Sequence, residues 1–172
     1  MKDKKRVLIT GITGMVGSHL ADYLLEQTDW DIYGMTRWRS PLDNISDLVP
    51  LINDKDRIFL LYGDLRDPQS LQDVVKQAKP DYVFHLAAQS LVRPSYEKPL
   101  ETIATNVFGT ANVLDALRSL NKKVVAIMIT SDKAYDNIEW VWGYRETDRL
   151  GGKDPYSASK GMAELVIRSY ID

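Results

Sequence analysis

Short runs rich in β-branched and apolar residues alternate along the chain with longer stretches in which apolar residues return every three or four positions. The runs are Arg6–Thr10, Asp31–Thr36, Arg57–Leu61, Tyr82–Leu86 and Val124–Thr130. Val7, Leu8 and Ile9 are consecutive apolar residues, as are Val124 to Ile129. Uninterrupted apolar runs of strand length predict strands buried on both faces, the habit of parallel sheets covered by helices.

Four stretches between the runs have helical periodicity. Met15–Gln27 puts Leu20 and Leu24 on one side, and Gln69–Ala78 follows Asp67-Pro68, a cap and first-turn pair. Leu100–Leu120 repeats Ile103, Val107, Ala111, Leu114 and Leu117 at helical spacing, and Pro155–Ile171 is the last. Strand and helix in strict alternation, joined by right-handed crossovers, predict an α/β fold: a doubly wound parallel sheet of the Rossmann type, ordered 3-2-1-4-5. No repeat, low-complexity tract or linker interrupts it, so residues 1–172 read as one domain.

Composition narrows the picture a little. Apolar residues at 44% and charged residues at 27% suit a soluble globular protein. A net charge of −2 gives no general affinity for nucleic acid or an anionic membrane. With no cysteine there is neither a disulfide framework nor a cysteine metal site, which suits the cytoplasm. Lys2, Lys4, Lys5 and Arg6 precede an apolar run of only Val7 to Ile9, so no signal peptide is read. His19 and His85 have no partner at metal-ligand spacing and read as structural, with no metal expected.

The first strand runs into Thr10-Gly11-Ile12-Thr13-Gly14-Met15-Val16-Gly17. Three glycines at i, i+3 and i+6 between a strand and a helix let the backbone turn tightly and approach a pyrophosphate, whose charge meets the helix N-terminus. The context, a strand before and an amphipathic helix after, is the one this motif requires. Met35-Thr36-Arg37-Trp38-Arg39-Ser40 ends the second strand with two arginines and no acid. Arginine there reads a 2′-phosphate, so NADP is expected ahead of NAD. Leu86-Ala87-Ala88-Gln89 ends the fourth strand with small residues that let a cofactor lie against the backbone. Tyr156-Ser157-Ala158-Ser159-Lys160 puts a tyrosine and a lysine at i and i+4 on one helix face, where the lysine's charge favours the phenolate.

The glycine spacing, together with the Tyr156–Lys160 pair, resembles extended short-chain dehydrogenases/reductases. That resemblance assigns Asp64, in Gly63-Asp64-Leu65-Arg66-Asp67, to the adenine, and Leu65 goes with it. It assigns Ser131 to the substrate hydroxyl and Lys160 also to the nicotinamide ribose. Ser131-Asp132-Lys133-Ala134-Tyr135-Asp136-Asn137, with Glu139–Glu146 and Gly151–Tyr156, is similar to nucleotide-sugar 4,6-dehydratases of the CDP-glucose group. Gly11–Ser18 and Met35–Ser40 instead resemble the NADP-dependent GDP-mannose group. The implied chemistry has Tyr156 deprotonate the sugar 4-hydroxyl, Lys133 take the C5 proton in place of the usual glutamate, and Asp132 protonate the departing 6-hydroxyl. A sugar epimerase or reductase, or a domain that only binds cofactor, shares the glycine loop and is the alternative. The resemblance further implies a nucleotide-sugar substrate, a C-terminal substrate domain beyond this chain, and a homodimer or higher oligomer built on helices such as Leu100–Leu120 and Pro155–Ile171.

Overall fold

In the computed structural model, which describes residues 4–54 and 56–171, five parallel strands form one sheet. Lys2 of the basic N-terminal cluster lies outside the described residues. The strands are β1 (Arg6–Thr10), β2 (Asp31–Thr36), β3 (Ile58–Tyr62), β4 (Tyr82–His85) and β5 (Val125–Met128), in the order β3-β2-β1-β4-β5. That is the predicted doubly wound arrangement. Thr10 is in register with both Met35 and His85, so β1, β2 and β4 end at one level.

Alternation along the strands divides the apolar residues between two cores. Val7, Ile9, Ile32 and Ile58 face α1 (Met15–Gln27) and, beyond it, the 3-10 turn Asp43–Leu48 and α2 (Val49–Asp54). Leu8, Met35 and Val83 face α3 (Pro68–Ala78) and α6 (Gly109–Arg118). Asp67 caps α3 as its sequence implies, its Oδ1 accepting from the Gln69 N–H at 3.0 Å with Pro68 in the first turn. The helix stops where Lys79 turns left-handed. α7 (Pro155–Ile171) lies along α6 and the shorter helices α4 (Val92–Glu97) and α5 (Pro99–Ile103). Among the described residues no helix is long and apolar enough to cross a membrane.

Three features depart from the pattern-based reading. The single helix expected over Leu100–Leu120 is α5, a π-helical turn at Ala104–Phe108, and α6. Its most buried positions include Thr102, Asn106 and Thr110, at 0%, 2% and 5% exposure, whereas Ile103, Val107, Ala111 and Leu114 are only half-buried. A polar stripe faces inward there, and apolar periodicity cannot report it. Secondly, the run Val124–Thr130 that carries β5 is not buried on both faces: Val125 is 57% and Ile129 47% exposed. β5 is an edge of the sheet, paired with β4 alone among the described strands. Thirdly, Asp43–Asp54 and Val92–Glu97 are helical although no periodic signal marked them; Ile45 and Leu48 plug the core beneath α1.

Candidate active site

The carboxyl ends of β1 to β4 border a crevice of about 840 Å³. A doubly wound sheet holds its ligands there, outside the strand ends where the order reverses from β1 to β4. The glycine-rich turn forms one wall. Gly11 adopts φ +76, and a Cβ on it would stand 2.9 Å from the Ala87 nitrogen. Gly14 donates to the Gly11 carbonyl at 3.0 Å and starts α1 with no side-chain cap, leaving the first-turn N–H groups toward the crevice. A Cβ on Gly17 would stand 2.8 Å from the Ile12 Cα, so the helix can approach the strand end only with glycine there. This cradle of bare backbone and helix N-terminus fits the pyrophosphate of a dinucleotide.

Every residue assigned to the cofactor before α7 lines this crevice, whereas Tyr156 and Lys160 on α7 do not. Thr13, Met15 and Val16 accompany the three glycines, and Arg37, Asp64, Leu65 and Leu86 to Gln89 complete the set. Arg37 reaches the rim, whereas Arg39 does not line it: its guanidinium lies over the Trp38 ring at 4.5 Å. Asp64 is clasped by Arg66. Its Oδ1 accepts from the Arg66 backbone N–H at 2.9 Å and from Nε at 3.2 Å, and its Oδ2 from Nη2 at 3.1 Å. The Arg66 hydrogen bonds, with a smaller contribution from Arg37, hold the Asp64 carboxyl below the usual aspartate range.

Several crevice residues carry no signal in a strand-and-motif reading. Asn44 donates from Nδ2 to the Thr13 carbonyl at 2.8 Å and braces the glycine turn. Asp43 brings an acid to the same rim, delivered by the 3-10 turn rather than by the end of β2. Arg66 was readable as a charge partner two residues from Asp64. Glu101 and Thr105 arrive from the distant α5 and π-helical segment and were not readable.

The residues assigned to chemistry gather around the start of α7 and the end of β5. Asp154 caps α7, accepting from the Ser157 backbone N–H at 2.9 Å and the Ser157 hydroxyl at 2.6 Å. Although its partial burial opposes ionisation, these bonds win and keep its carboxyl below the usual range, helped by the charge of Lys133. Tyr156 and Lys160 are buried on the inner face of α7, at 8% and 7% exposure. The Tyr156 backbone N–H donates to Ser95 Oγ at 3.1 Å, and Lys160 Nζ to the Ile129 carbonyl at 3.4 Å. Burial lowers the Lys160 pKa, and the Glu164 carboxylate one turn along opposes that shift. Glu164 itself accepts from the Thr130 hydroxyl at 2.5 Å. Its i+4 spacing from Lys160 is the signal in the sequence that places it there.

Ser131 precedes a 3-10 turn, Asp132–Ala134, and caps it: its Oγ accepts from the Lys133 N–H at 3.2 Å and donates to Asp132 Oδ1 at 3.1 Å. Asp132 and Lys133 are exposed. The segment after them doubles back, with Tyr135 bridged to Leu150 and stacked on Tyr144 at 5.4 Å. Trp140 leans on Tyr144, while Val141 and Trp142 are 90% and 71% exposed.

Comparison with known proteins places the chain in a family. A family model described as GDP-mannose 4,6 dehydratase matches residues 8–172. The chain is 44% identical over 168 residues to a CDP-glucose 4,6-dehydratase of Salmonella typhimurium, covering 96% of this chain and 45% of that protein. It is 34% identical over 172 residues to a GDP-mannose 4,6-dehydratase of Yersinia enterocolitica, with 96% and 45% covered. Among solved structures, the dTDP-glucose 4,6-dehydratase of Streptomyces venezuelae, determined with NAD and TYD bound, superimposes with a TM-score of 0.82 at 27% identity, covering 96% of this chain and 51% of that one. The chain thus spans about half the length of the curated relatives it matches. Matched over all but its first few residues, it belongs to the GDP-mannose 4,6 dehydratase family.

Proposed function

We propose that the protein carrying these residues is a nucleotide-sugar 4,6-dehydratase, of the CDP-glucose type, and that this chain is its cofactor-binding and proton-transferring part. The observation that carries the reading is the burial of Tyr156 and Lys160 on one face of α7, with Lys160 reaching the end of β5 where Ser131, Asp132 and Lys133 follow. The 44% identity to a CDP-glucose 4,6-dehydratase supports the nucleotide.

In this reading the glycine turn and the start of α1 hold the pyrophosphate, Asp64 and Leu65 the adenine, and Leu86 to Gln89 the underside of the cofactor. Lys160 holds the nicotinamide ribose and favours the phenolate of Tyr156. Bound NAD(P) would supply the chemistry of accepting hydride at sugar C4 and returning it at C6. Tyr156 takes the proton of the 4-hydroxyl, with Ser131 holding that oxygen. Once C4 is a ketone the C5 proton is acidic, and Lys133, exposed in this chain, would remove it as the neutral amine, the form that burial beneath a bound sugar favours. Asp132 protonates the 6-hydroxyl as it leaves as water. The product is a 4-keto-6-deoxy sugar nucleotide.

The cofactor we infer is NADP, because Arg37 reaches the rim of the crevice near Asp64, where a 2′-phosphate would fall. The same arginine supports a second reading, the GDP-mannose type. NAD is the alternative cofactor; the acid Asp43 on the same rim favours it. Homo-oligomerisation through α5 to α7 is supported by Leu100, Phe108 and Leu165, exposed at 80%, 63% and 56% on those segments. The lack of cysteine supports a cytoplasmic site.

The test is turnover of CDP-glucose and of GDP-mannose, side by side, read by the absorbance of the 4-keto product in alkali. A keto product from CDP-glucose, lost in Tyr156→Phe, is expected. Turnover of GDP-mannose alone would replace the CDP-glucose assignment, and epimerisation without a keto product would refute the dehydratase reading.

A further inference from the structure

One buried titratable group takes no part in the chemistry above. His85, at the end of β4, is 3% exposed and does not line the crevice. Its Nδ1 lies 2.8 Å from Thr10 Oγ1 and its Nε2 3.2 Å from Thr110 Oγ1. Each hydroxyl is already committed on its other side. Thr10 Oγ1 accepts from the Ala87 backbone N–H at 3.2 Å, and Thr110 Oγ1 donates to the Asn106 carbonyl at 2.7 Å.

A hydroxyl carries one hydrogen, and that count fixes the direction at Thr110. Thr110 has spent its hydrogen on Asn106, so it can only accept at His85, and Nε2 must carry a proton. Burial, and the ammonium of Lys160 nearby, hold the imidazole pKa at about 4, so at neutral pH the ring carries a single proton. With that proton on Nε2, Nδ1 is bare and accepts from the Thr10 hydroxyl, whose oxygen still takes the Ala87 N–H.

The row continues through Asn106 in the π-helical turn. Its Nδ2 donates to the Gln89 carbonyl and to Ser159 Oγ, both at 2.9 Å, and its Oδ1 accepts from the Gln89 N–H at 2.8 Å. Ser159 Oγ then donates to the Tyr156 carbonyl at 2.6 Å. Thr10, Asn106, Thr110 and Ser159 are all at most 5% exposed, so water cannot substitute for a missing member.

We infer that His85 is a positioning residue: its single tautomer ties the start of the glycine turn and the Ala87–Gln89 wall to the helix that carries Tyr156 and Lys160. The inference rests on the proposed function only in calling that helix catalytic. Its physical content is one spacing, between cofactor wall and α7, set by a directional polar row through the core.

The test uses the chain itself. With only two histidines, ¹⁵N-detected NMR resolves His85 from His19. At neutral pH the expected spectrum has a protonated Nε2 and a bare Nδ1 for His85. Thr110→Val strips Nε2 of its acceptor; it is expected to move the amide signals of Gln89 and of Tyr156 to Lys160 together and to weaken NADP+ or NAD+ binding about tenfold. Thr110→Ser keeps the acceptor and is expected to return both readouts to the parent. An Nδ1–H tautomer in the parent chain would overturn the inference without any variant, so a failure of Thr110→Val to fold does not shield it. Amide shifts confined to the neighbours of Thr110 would also overturn it. None of these readouts needs a sugar or turnover, so they stand or fall apart from the dehydratase assignment.

Discussion

Replacing Gly17 with alanine probes the glycine turn at the point where helix and strand come closest. The added Cβ would run into the Gly11 carbonyl oxygen and lie 2.8 Å from the Ile12 Cα and 2.9 Å from the Gly11 carbonyl carbon, well inside the 3.4–4 Å of ordinary contact. All are backbone atoms, so no side chain can swing aside, and α1 must retreat. Overpacking of this kind costs about 1–3 kcal/mol. At this chain length each kcal/mol lowers Tm by roughly 2–4 °C. Because the first turn of α1 moves with the helix, cofactor affinity should fall alongside stability. Two companion variants sharpen the test. Gly11→Ala meets the Ala87 nitrogen at 2.9 Å and also forces a side chain onto φ +76, so it should be comparably damaging. At Gly14 the backbone is extended at φ −80 and the nearest atom is 3.2 Å away, so alanine there should cost less than about 1 kcal/mol. Thermal unfolding and cofactor titration of the three variants measure whether Gly11→Ala and Gly17→Ala both fall well below Gly14→Ala. A Gly14→Ala variant as damaged as Gly17→Ala, or a Gly17→Ala variant indistinguishable from the parent, would refute the reasoning.

Three further outcomes are expected. The His85 pKa is about 4 in the folded chain against 6.5 unfolded, so as pH falls the unfolded state takes up its proton first. Stability present above pH 6.5 is then lost between 6.5 and about 4, by about 3 kcal/mol, before the carboxylates of Asp64, Asp81 and Asp154 are reached; urea unfolding across that range measures it, and a flat profile would contradict it. Glu164→Gln removes the anion that opposes desolvation of Lys160, so the lysine pKa should fall further below its usual value, as followed by NMR of the side-chain nitrogen. Asp67→Ala leaves the Gln69 N–H without its acceptor and should destabilise the chain by about 1 kcal/mol in thermal unfolding, with Asp67→Asn restoring most of it.

The parts of the fold that speak through period and punctuation were legible. The strand positions and their order, α1, the Asp67-Pro68 start of α3 and the span of α7 all follow from apolar runs, caps and crossovers. The glycine wall and the small residues after β4 were legible for the same reason: a close backbone approach demands particular residues at particular spacings. What failed was any feature set by a distant partner. β5 has the composition of a central strand, and its exposure depends on what covers it, which its own residues do not encode. The stripe of Thr102, Asn106 and Thr110 is polar because it meets Gln89, His85 and Ser159 from other elements, and the π-helical turn that carries Asn106 has no pattern of its own. His85 was read as structural from its isolation in sequence, and only three-dimensional neighbours disclose that both its nitrogens are committed. Asp43 and Asn44 reach the crevice through a 3-10 turn that no periodic signal announced.

The most direct measurement of the central claim, that the crevice above β1 to β4 holds a dinucleotide, is a side-by-side titration of this chain with NADP+ and NAD+. Saturable binding is predicted, tighter for NADP+ by about tenfold through the charge-assisted bond from Arg37, with the difference abolished in Arg37→Ala. A preference for NAD+ would contradict the role given to Arg37, and binding of neither would contradict the crevice as a self-sufficient cofactor site.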